Sequence, residues 1–285
     1  MRVGLHFPGA EIGTDAGLIV EWAHLATDLG FSHVAFGDHV LGVDPKTYPG
    51  WAGLWVIDPD VQFSGQRPPY TYEDQWHEPF VTMGFLAALT PIELSTCVMV
   101  GPLRRTAVLA KQAAQVDILS GGRLRLALGV GWNSGEFAAV GADFKSRGRM
   151  LDEQIPLLRQ LWTEPLVNFD GEYHELHGAG LAPLPIQRPI PLWIGGFSPA
   201  AQRRAGRLAD GYVAGTDPEA SSGLMDAVRQ AAEDAGRDAG SIGFETTRSP
   251  TPLTSAALTN AAHLARSAPV PPRSDVSASR RLAPW

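Results

Sequence analysis

The strongest constraint on the fold is the regular alternation of short apolar runs with helical patterns over the first 246 residues. Each run of strand length is preceded or followed by a segment whose apolar residues recur at three- and four-residue steps. This alternation is typical of βαβ units that build a parallel sheet. Seven such strands are predicted, beginning near Val3, His33, Leu94, Leu124, Pro191, Gly211 and Ile242.

A closed (β/α)8 barrel needs one strand more, and 285 residues is an ordinary length for one such barrel. The eighth strand is expected after residue 246. Residues 247–285 instead hold six prolines, six serines and no glycine, lysine or glutamate. The sequence therefore predicts an α/β barrel of the TIM type over residues 1–246, with its last strand and helix missing or divergent. A poorly ordered tail is expected over residues 247–285.

Two irregular features interrupt the alternation. Asp170-Gly171 lies between two short apolar runs and predicts a β-hairpin. The connection over about residues 41–77 is long, as functional lids and disordered segments are. Disordered segments are poor in aromatic residues, so we expect a lid that packs over a site, with disorder as the alternative. The aromatic residues of this connection are Trp51, Trp55, Phe63, Tyr70, Tyr72 and Trp76.

Charge and cysteine content narrow the function classes. The formal net charge is −7, and no basic run occurs that would contact a nucleic-acid backbone. No stretch is apolar enough for a signal peptide or a membrane span. The single cysteine, Cys97, excludes an intramolecular disulfide. We therefore expect a cytoplasmic protein that acts on a small molecule, without nucleic-acid or membrane partners.

Candidate acid–base residues follow the predicted strands, where barrels of this class carry their active sites. Asp38-His39 comes directly after the second strand, and a histidine there is suited to proton transfer near neutral pH. A purely structural histidine is the alternative. Glu136 follows the fourth strand and is a second candidate acid or base, with a surface carboxylate at a helix start as the alternative.

Glycines at strand ends indicate where a ligand approaches the backbone. Gly195-Gly196-Phe197-Ser198 precedes a helix and outlines an anion site, although an ordinary strand-to-helix turn has the same pattern.

Two other kinds of site are not predicted. Cys97 has no evident neighbouring base that would remove its proton, so a nucleophilic role is not predicted. His6, His174 and His177 lack the partners that a metal site needs, and no metal is expected.

Several segments together resemble the bacterial luciferase-like monooxygenase family, and within it the branch that uses the deazaflavin coenzyme F420. The match covers roughly residues 1–246 in order. The Ser-Gly-Gly-Arg segment is fairly specific to the family, and the Asp-His pair favours the deazaflavin branch. The segments are residues 36–39 (FGDH), 119–124 (LSGGRL), 129–132 (GVGW), 147–149 (RGR) with Asp152-Glu153, 161–163 (LWT) and 191–196 (PLWIGG).

The resemblance implies a barrel that holds the tricyclic ring of its cofactor in the mouth. His39 then matches the proton donor or acceptor beside the ring, and Glu136 is a loose match to an acidic contact. The remaining matches are to cofactor contacts. They are Asp38, a non-proline cis peptide at Cys97-Val98, the ring-pocket wall at Gly131 and Trp132, and a phosphate cradle at Gly195, Gly196 and Ser198.

Three functions follow from this resemblance. The first is an F420-dependent oxidoreductase that moves a hydride between the deazaflavin and a small organic substrate while His39 handles the proton. The second is an FMN-dependent luciferase-like monooxygenase. The third is a non-catalytic or unstable relative whose barrel does not close. A homodimer is a possible assembly, because the open edges of the first and seventh strands invite pairing with another chain.

Overall fold

A computed structural model describes residues 2–44, 46, 70–215 and 218–246, and these residues form a curled parallel sheet wrapped by helices. The predicted tail and most of the predicted lid lie outside the described residues. The sheet runs in the order β1-β2-β3-β5-β8-β9-β10, with β4 paired to β5. Its strands are β1 (Gly4–His6), β2 (His33–Phe36), β3 (Glu93–Thr96), β4 (Met99–Val100), β5 (Leu124–Gly129), β8 (Leu192–Gly195), β9 (Gly211–Val213) and β10 (Gly243–Glu245).

Seven α-helices accompany these strands within the described residues, and α2 packs on α3, α3 on α5, and α6 on α7. Local signals explain several ends. The Asp15 carboxylate caps the start of α1, and Gly121 ends α3 in the left-handed conformation at φ 70°. The helices are α1 (Ala16–Asp28), α2 (Pro79–Ala87), α3 (Thr106–Ser120), α4 (Ser134–Val140), α5 (Arg147–Thr163), α6 (Pro199–Leu208) and α7 (Ser222–Asp234).

The seven predicted strands are all present, which confirms the barrel prediction as far as the structure describes the chain. In the described part, β1 and β10 are the two ends of the sheet. The run from Leu94 to Val100, predicted as one strand, is divided into β3 and β4. The hairpin at Asp170-Gly171 is confirmed as β6 (Val167–Asp170) paired antiparallel with β7 (Glu175–Ala179). None of the described helices is both long and apolar enough to cross a membrane.

The two faces of the curled sheet differ sharply in composition. The outward face buries large apolar side chains such as Leu94, Leu126 and Ile194 against the helices, together with Trp22 and Trp162. Complete burial of one such side chain stabilises the fold by roughly 1.5–3 kcal/mol. The inward face, which lines the lumen, carries glycines and polar or charged residues together with Trp193. The helix-facing core therefore supplies most of the stability, and the lumen retains polar groups.

Charged and aromatic side chains fill the lower lumen, defined here as His33, Glu93, Arg125, Trp193 and Glu245. The Arg125 guanidinium lies 3.0 Å from Glu93 and 2.6 Å from Glu245, and 4.3 Å above the Trp193 ring. Glu245 also lies 3.4 Å from Nε2 of His33. Burial alone would raise the pKa of Glu245, but the His33 hydrogen bond and the Arg125 charge hold that pKa below its usual value.

Glycines make room for the two largest rings of the lower lumen. A Cβ atom on Gly211 would lie 2.3 Å from the Trp193 ring, and one on Gly243 would lie 2.6 Å from the same ring. A Cβ atom on Gly4 would lie 2.2 Å from the His33 ring. These strands therefore need glycine at their first residues so that Trp193 and His33 fit inside the barrel.

Candidate functional site

The candidate site is the mouth, the opening at the carboxyl ends of the strands where His39, Glu136, Tyr70, Trp76 and Trp132 meet. His39 follows β2 by three residues, and its side chain is 14% exposed. Residues from three separate stretches of sequence thus converge on one imidazole. His39 and Glu136, both candidate acid–base residues in the sequence, thus lie side by side, and their catalytic roles stay a prediction.

Glu136 is the buried acid of the mouth. It lies in the first turn of α4, and its side chain is 1% exposed, so the surface-carboxylate alternative is wrong. Oε1 accepts the Val40 N–H at 2.6 Å, and Oε2 lies 3.4 Å from Nδ1 of His39. Oε2 also accepts the Tyr70 hydroxyl at 3.3 Å. A carboxylate this deeply buried requires such partners, and here they tie it to the loop that carries His39.

Asn133 determines the direction of the Tyr70 hydrogen bond. It is the N-cap of α4, and its Oδ1 accepts the Gly135 N–H at 2.9 Å. The amide nitrogen therefore faces Tyr70, and it donates to the hydroxyl oxygen at 2.8 Å. The hydroxyl proton is then directed to Glu136. Burial and the nearby Glu136 charge raise the pKa of Tyr70 well above its usual value, so the hydroxyl keeps this proton.

Three aromatic rings enclose the His39 imidazole. The Tyr70 ring is tilted 37° over it with centroids 3.9 Å apart. Trp76 and Trp132 meet it edge to face, at 4.5 Å and 5.8 Å. With Glu136 behind the ring, these contacts leave His39 one restricted orientation. Nδ1 is directed to the carboxylate, and Nε2 is the nitrogen that remains for a ligand.

Asp38 supports the mouth from the side of β4. Its carboxylate accepts the Val100 N–H at 2.9 Å and pairs with Arg104 at 2.8 Å. Arg104 in turn lies 2.8 Å from Glu78, the residue that caps α2. The residue before His39 is therefore fixed to β4 and α2. A direct contact between Asp38 and a cofactor stays a prediction.

The Cys97-Val98 peptide is cis, as the resemblance implied, and it separates β3 from β4. The two methyl groups of Val98 occupy space that two glycines leave open. A Cβ atom on Gly129 would lie 2.6 Å from Val98, and one on Gly195 would lie 2.5 Å from it. Burial raises the pKa of the Cys97 thiol to about 12, which argues against a nucleophilic thiolate. Val98 is thus held in the lumen below the mouth.

The predicted phosphate cradle lies where β8 ends and α6 begins. Gly196 adopts a φ of 136°, a conformation that side chains rarely adopt, and its carbonyl accepts the Tyr212 hydroxyl at 2.6 Å. Ser198 caps α6 by accepting the Ala201 N–H at 3.3 Å. A helix start of this kind presents N–H groups to an anion. Its use as a phosphate site stays a prediction.

Gly131 and Trp132 lie beside the mouth, and their role as a wall of a ring pocket stays a prediction. Gly131 has a φ of 72°, and a Cβ atom there would lie 2.5 Å from Val100. Trp132 packs against Tyr70 and His39. In the described ranges, no three histidine, cysteine, aspartate or glutamate side chains group together as metal ligands would.

Sequence reasoning missed the site roles of four residues: Tyr70, Trp76, Asn133 and Arg104. The spacing of Asn133 and Glu136 is that of a capping box, in which the glutamate returns to the helix start. Asn133 does cap α4, but Glu136 is directed to Val40 and His39 instead. The Asn133–Glu136 capping box can be recognised from the sequence. The contact of Glu136 with Val40 and His39 cannot, because it depends on the position of the loop after β2.

The mouth contains features that fit a flat ring cofactor. Val98 enters the lumen where Gly129 and Gly195 lack side chains. The first turn of α6, which follows Gly195 and Gly196 closely in the chain, provides backbone N–H groups. The indole N–H of Trp76 is buried, and no partner for it occurs within the described residues. Fold and site together define a parallel α/β-barrel protein whose mouth holds a histidine in contact with a buried carboxylate.

Comparison with known proteins identifies the family. The profile of the family described as luciferase-like monooxygenase matches residues 5–279. An uncharacterized protein of Mycobacterium tuberculosis is 31% identical over 238 residues, which are 82% of this chain and 77% of the relative. The chain therefore belongs to the luciferase-like monooxygenase family.

Named relatives use either of two cofactors. The F420-dependent glucose-6-phosphate dehydrogenase of Amycolatopsis mediterranei is 32% identical over 226 residues, 75% of this chain and 59% of that protein. The FMNH2-dependent dimethylsulfone monooxygenase of Pseudomonas putida is 32% identical over 165 residues, 56% of this chain and 45% of that protein. The chain thus spans less than two thirds of the length of either enzyme.

A solved structure supports the fold. An F420-dependent secondary alcohol dehydrogenase in complex with an F420-acetone adduct aligns with a TM-score of 0.64 and 23% identity. The alignment covers 86% of this chain and 68% of that one. Family members are oxidoreductases and monooxygenases, so a deazaflavin or flavin cofactor and a small-molecule substrate are consistent with this chain.

Proposed function

We propose that the protein is an F420-dependent oxidoreductase that transfers a hydride between the deazaflavin and a small organic substrate, with His39 as proton donor or acceptor. The observation that carries the proposal is the His39–Glu136 pair, enclosed by aromatic rings in the barrel mouth. The F420-dependent relatives support the choice of cofactor.

The chain's own residues would hold the cofactor in distinct ways. Gly131 and Trp132 would flank the ring, and Val98 would lie beneath it. Gly195, Gly196 and Ser198 would bind phosphate at the start of α6, where helix N–H groups and the helix dipole favour an anion. The bound deazaflavin would supply the hydride chemistry, and the protein would supply orientation and exclusion of water.

His39 would move the proton that accompanies hydride transfer. Nδ1 would donate a hydrogen bond to Glu136, which leaves Nε2 to exchange a proton with the substrate. When Nε2 takes up a proton, the buried carboxylate stabilises the imidazolium that forms. Tyr70 and Val40 hold the carboxylate in place during this exchange. The lid predicted over residues 41–77 would exclude water and select the substrate.

Titration of the purified protein with F420 and, separately, with FMN tests the proposal. We expect F420 to bind at micromolar or lower concentration and FMN to bind at least tenfold more weakly, followed by absorbance and cofactor fluorescence. Selective binding of FMN would favour the monooxygenase alternative, which the Pseudomonas putida relative supports. Binding of neither would support a non-catalytic relative.

A further inference from the structure

A second imidazole, that of His6, lies on the lumen face close to the mouth. In the β1–β2 pairing, Gly4 is opposite His33 and His6 is opposite Ala35. Gly4 faces the lumen, because a Cβ atom there would meet the His33 ring. Side chains alternate along a strand, so His6 also faces the lumen, one layer above His33.

The side chains around Gly37 show how near His6 is to His39. A Cβ atom on Gly37 would lie 3.6 Å from Nε2 of His6 and 2.9 Å from the Trp76 ring. The Trp76 ring in turn contacts His39 at 4.5 Å between centroids. Gly37 precedes His39 by two residues. His6 and His39 are therefore both neighbours of the Trp76 indole.

The hydrogen bonding of His6 leaves Nε2 as an acceptor. Nδ1 lies 3.0 Å from the Phe7 carbonyl, which accepts only, so Nδ1 carries the proton. The lone pair of Nε2 then points away from the backbone. Desolvation by the atoms packed around the ring lowers the pKa of His6 more than the Phe7 carbonyl and Glu11 raise it, which keeps the ring neutral at neutral pH. The residue nevertheless remains open to solvent.

The two imidazoles of this region thus differ in chemistry. His39 has the Glu136 carboxylate behind it, whereas the Nδ1 partner of His6 is a backbone carbonyl. His39 is therefore suited to carry a proton, and His6 is suited to accept a hydrogen bond. Sequence reasoning considered His6 only as a metal ligand and set it aside.

We infer that Nε2 of His6 is a cofactor-binding acceptor that takes a hydrogen bond from the imide N–H of the bound ring, a group that F420 and FMN share. The inference rests on the proposed function, in that a ring cofactor occupies the mouth. This hydrogen bond would be a polar contact from β1, in addition to the cofactor contacts expected from the later strands. The neutral His6 ring would then face the polar edge of the cofactor ring on the lumen side of the mouth.

A pair of substitutions isolates this contact. His6→Asn keeps an N–H near the Nδ1 position but has no acceptor at the Nε2 position, whereas His6→Gln carries an amide oxygen that reaches it. We expect His6→Asn to weaken binding of the cofactor that the wild type prefers by about tenfold, the usual effect of one hydrogen bond. We expect His6→Gln to stay within about threefold. His33→Asn and His33→Gln, one layer lower, should leave the dissociation constant unchanged.

A spectroscopic measurement separates a direct contact from a structural effect. In 15N NMR of the wild type, the Nε2 signal of His6, assigned by its loss in His6→Gln, should shift when F420 or FMN reaches saturation. An unmoved signal would overturn the inference, even if His6→Asn binds more weakly. Binding by His6→Asn within twofold of the wild type would also overturn it and would leave the F420 assignment intact. If the wild type binds neither F420 nor FMN, the proposed function fails and this inference fails with it.

Discussion

Two histidine–glutamate pairs lie in the same barrel with the same separation and different surroundings. In the lower lumen His33 and Glu245 are 3.4 Å apart, and in the mouth His39 and Glu136 are also 3.4 Å apart. Glu245 shares its charge with Arg125 at 2.6 Å. Among the described residues, the other partners of Glu136 are the neutral donors Val40 N–H and the Tyr70 hydroxyl.

The two pairs differ in the charge that accompanies each carboxylate. Glu245 interacts with a fixed guanidinium as well as with His33. Glu136 has no such cation beside it in the described part of the chain. Distance alone does not distinguish the two pairs. We therefore expect the mouth pair to serve proton transfer and the lower-lumen pair to serve stability.

The largest expected effect is at His39. His39→Ala should lower turnover by roughly 10²–10⁴, the usual contribution of a general acid or base, while cofactor binding changes little. The measurement is the rate of F420 absorbance change with any substrate of the wild type. His33→Ala is the matched control and should lower the melting temperature without a comparable loss of turnover. Equal turnover losses in both variants would contradict the division between the two pairs.

The next effect is at Arg125. Arg125→Met removes the cation between Glu93 and Glu245 while keeping an unbranched side chain over Trp193. We expect a loss of about 3 kcal/mol in the free energy of unfolding, because two partly buried carboxylates lose the guanidinium that lies between them. Chemical denaturation measures it. A loss below about 1 kcal/mol would show that the network contributes little.

In the mouth, Tyr70→Phe tests the hydroxyl that connects Asn133 to Glu136. The variant keeps the ring over His39 but leaves the amide N–H of Asn133 without its acceptor, at a cost of about 1–3 kcal/mol. Tyr72→Phe is the control, because Tyr72 is 62% exposed and lies in the same segment. It should change stability by less than about 0.5 kcal/mol. Similar melting temperatures for both variants would remove the hydroxyl from the support of the site.

The smallest effect is the pH dependence of the lower lumen. The pKa of Glu245 is depressed, so its contribution is complete above the ordinary glutamate pKa and is lost as the pH falls through the folded-state value. Between pH 7 and pH 3 the wild type should lose about 1 kcal/mol more stability than Glu245→Gln. Glu175→Gln alters an exposed His–Glu pair and should show the wild-type loss. Parallel stability curves for wild type and Glu245→Gln would refute this prediction.

The parallel strands could be predicted because the spacing of apolar residues and the alternation of strands with helices are both visible in consecutive residues. The sequence also predicted that His39 follows the second strand, since that position is visible in the chain. It did not predict the division of β3 from β4, because residues 94–100 form one continuous run of mostly apolar and β-branched residues. The short α4 was also missed, as Gly135 interrupts the helical signal.

The candidate site was predicted less completely, for a different physical reason. Tyr70 and Asn133 are 63 residues apart and meet only because the segment before α2 returns to the start of α4. His6 appeared isolated because its neighbours at the mouth come from other strands. Such contacts depend on how the sheet curls, and local sequence does not encode them.

The three glycines that admit the lower-lumen rings make substitutions there interdependent. A side chain larger than hydrogen at position 211 or 243 is compatible with this barrel only if position 193 becomes much smaller, and position 4 is linked to position 33 in the same way. Replacing Trp193 by alanine alone would instead leave a void beside Arg125 in the lower lumen. Variation within the family should therefore change these positions together, as pairs of large and small residues.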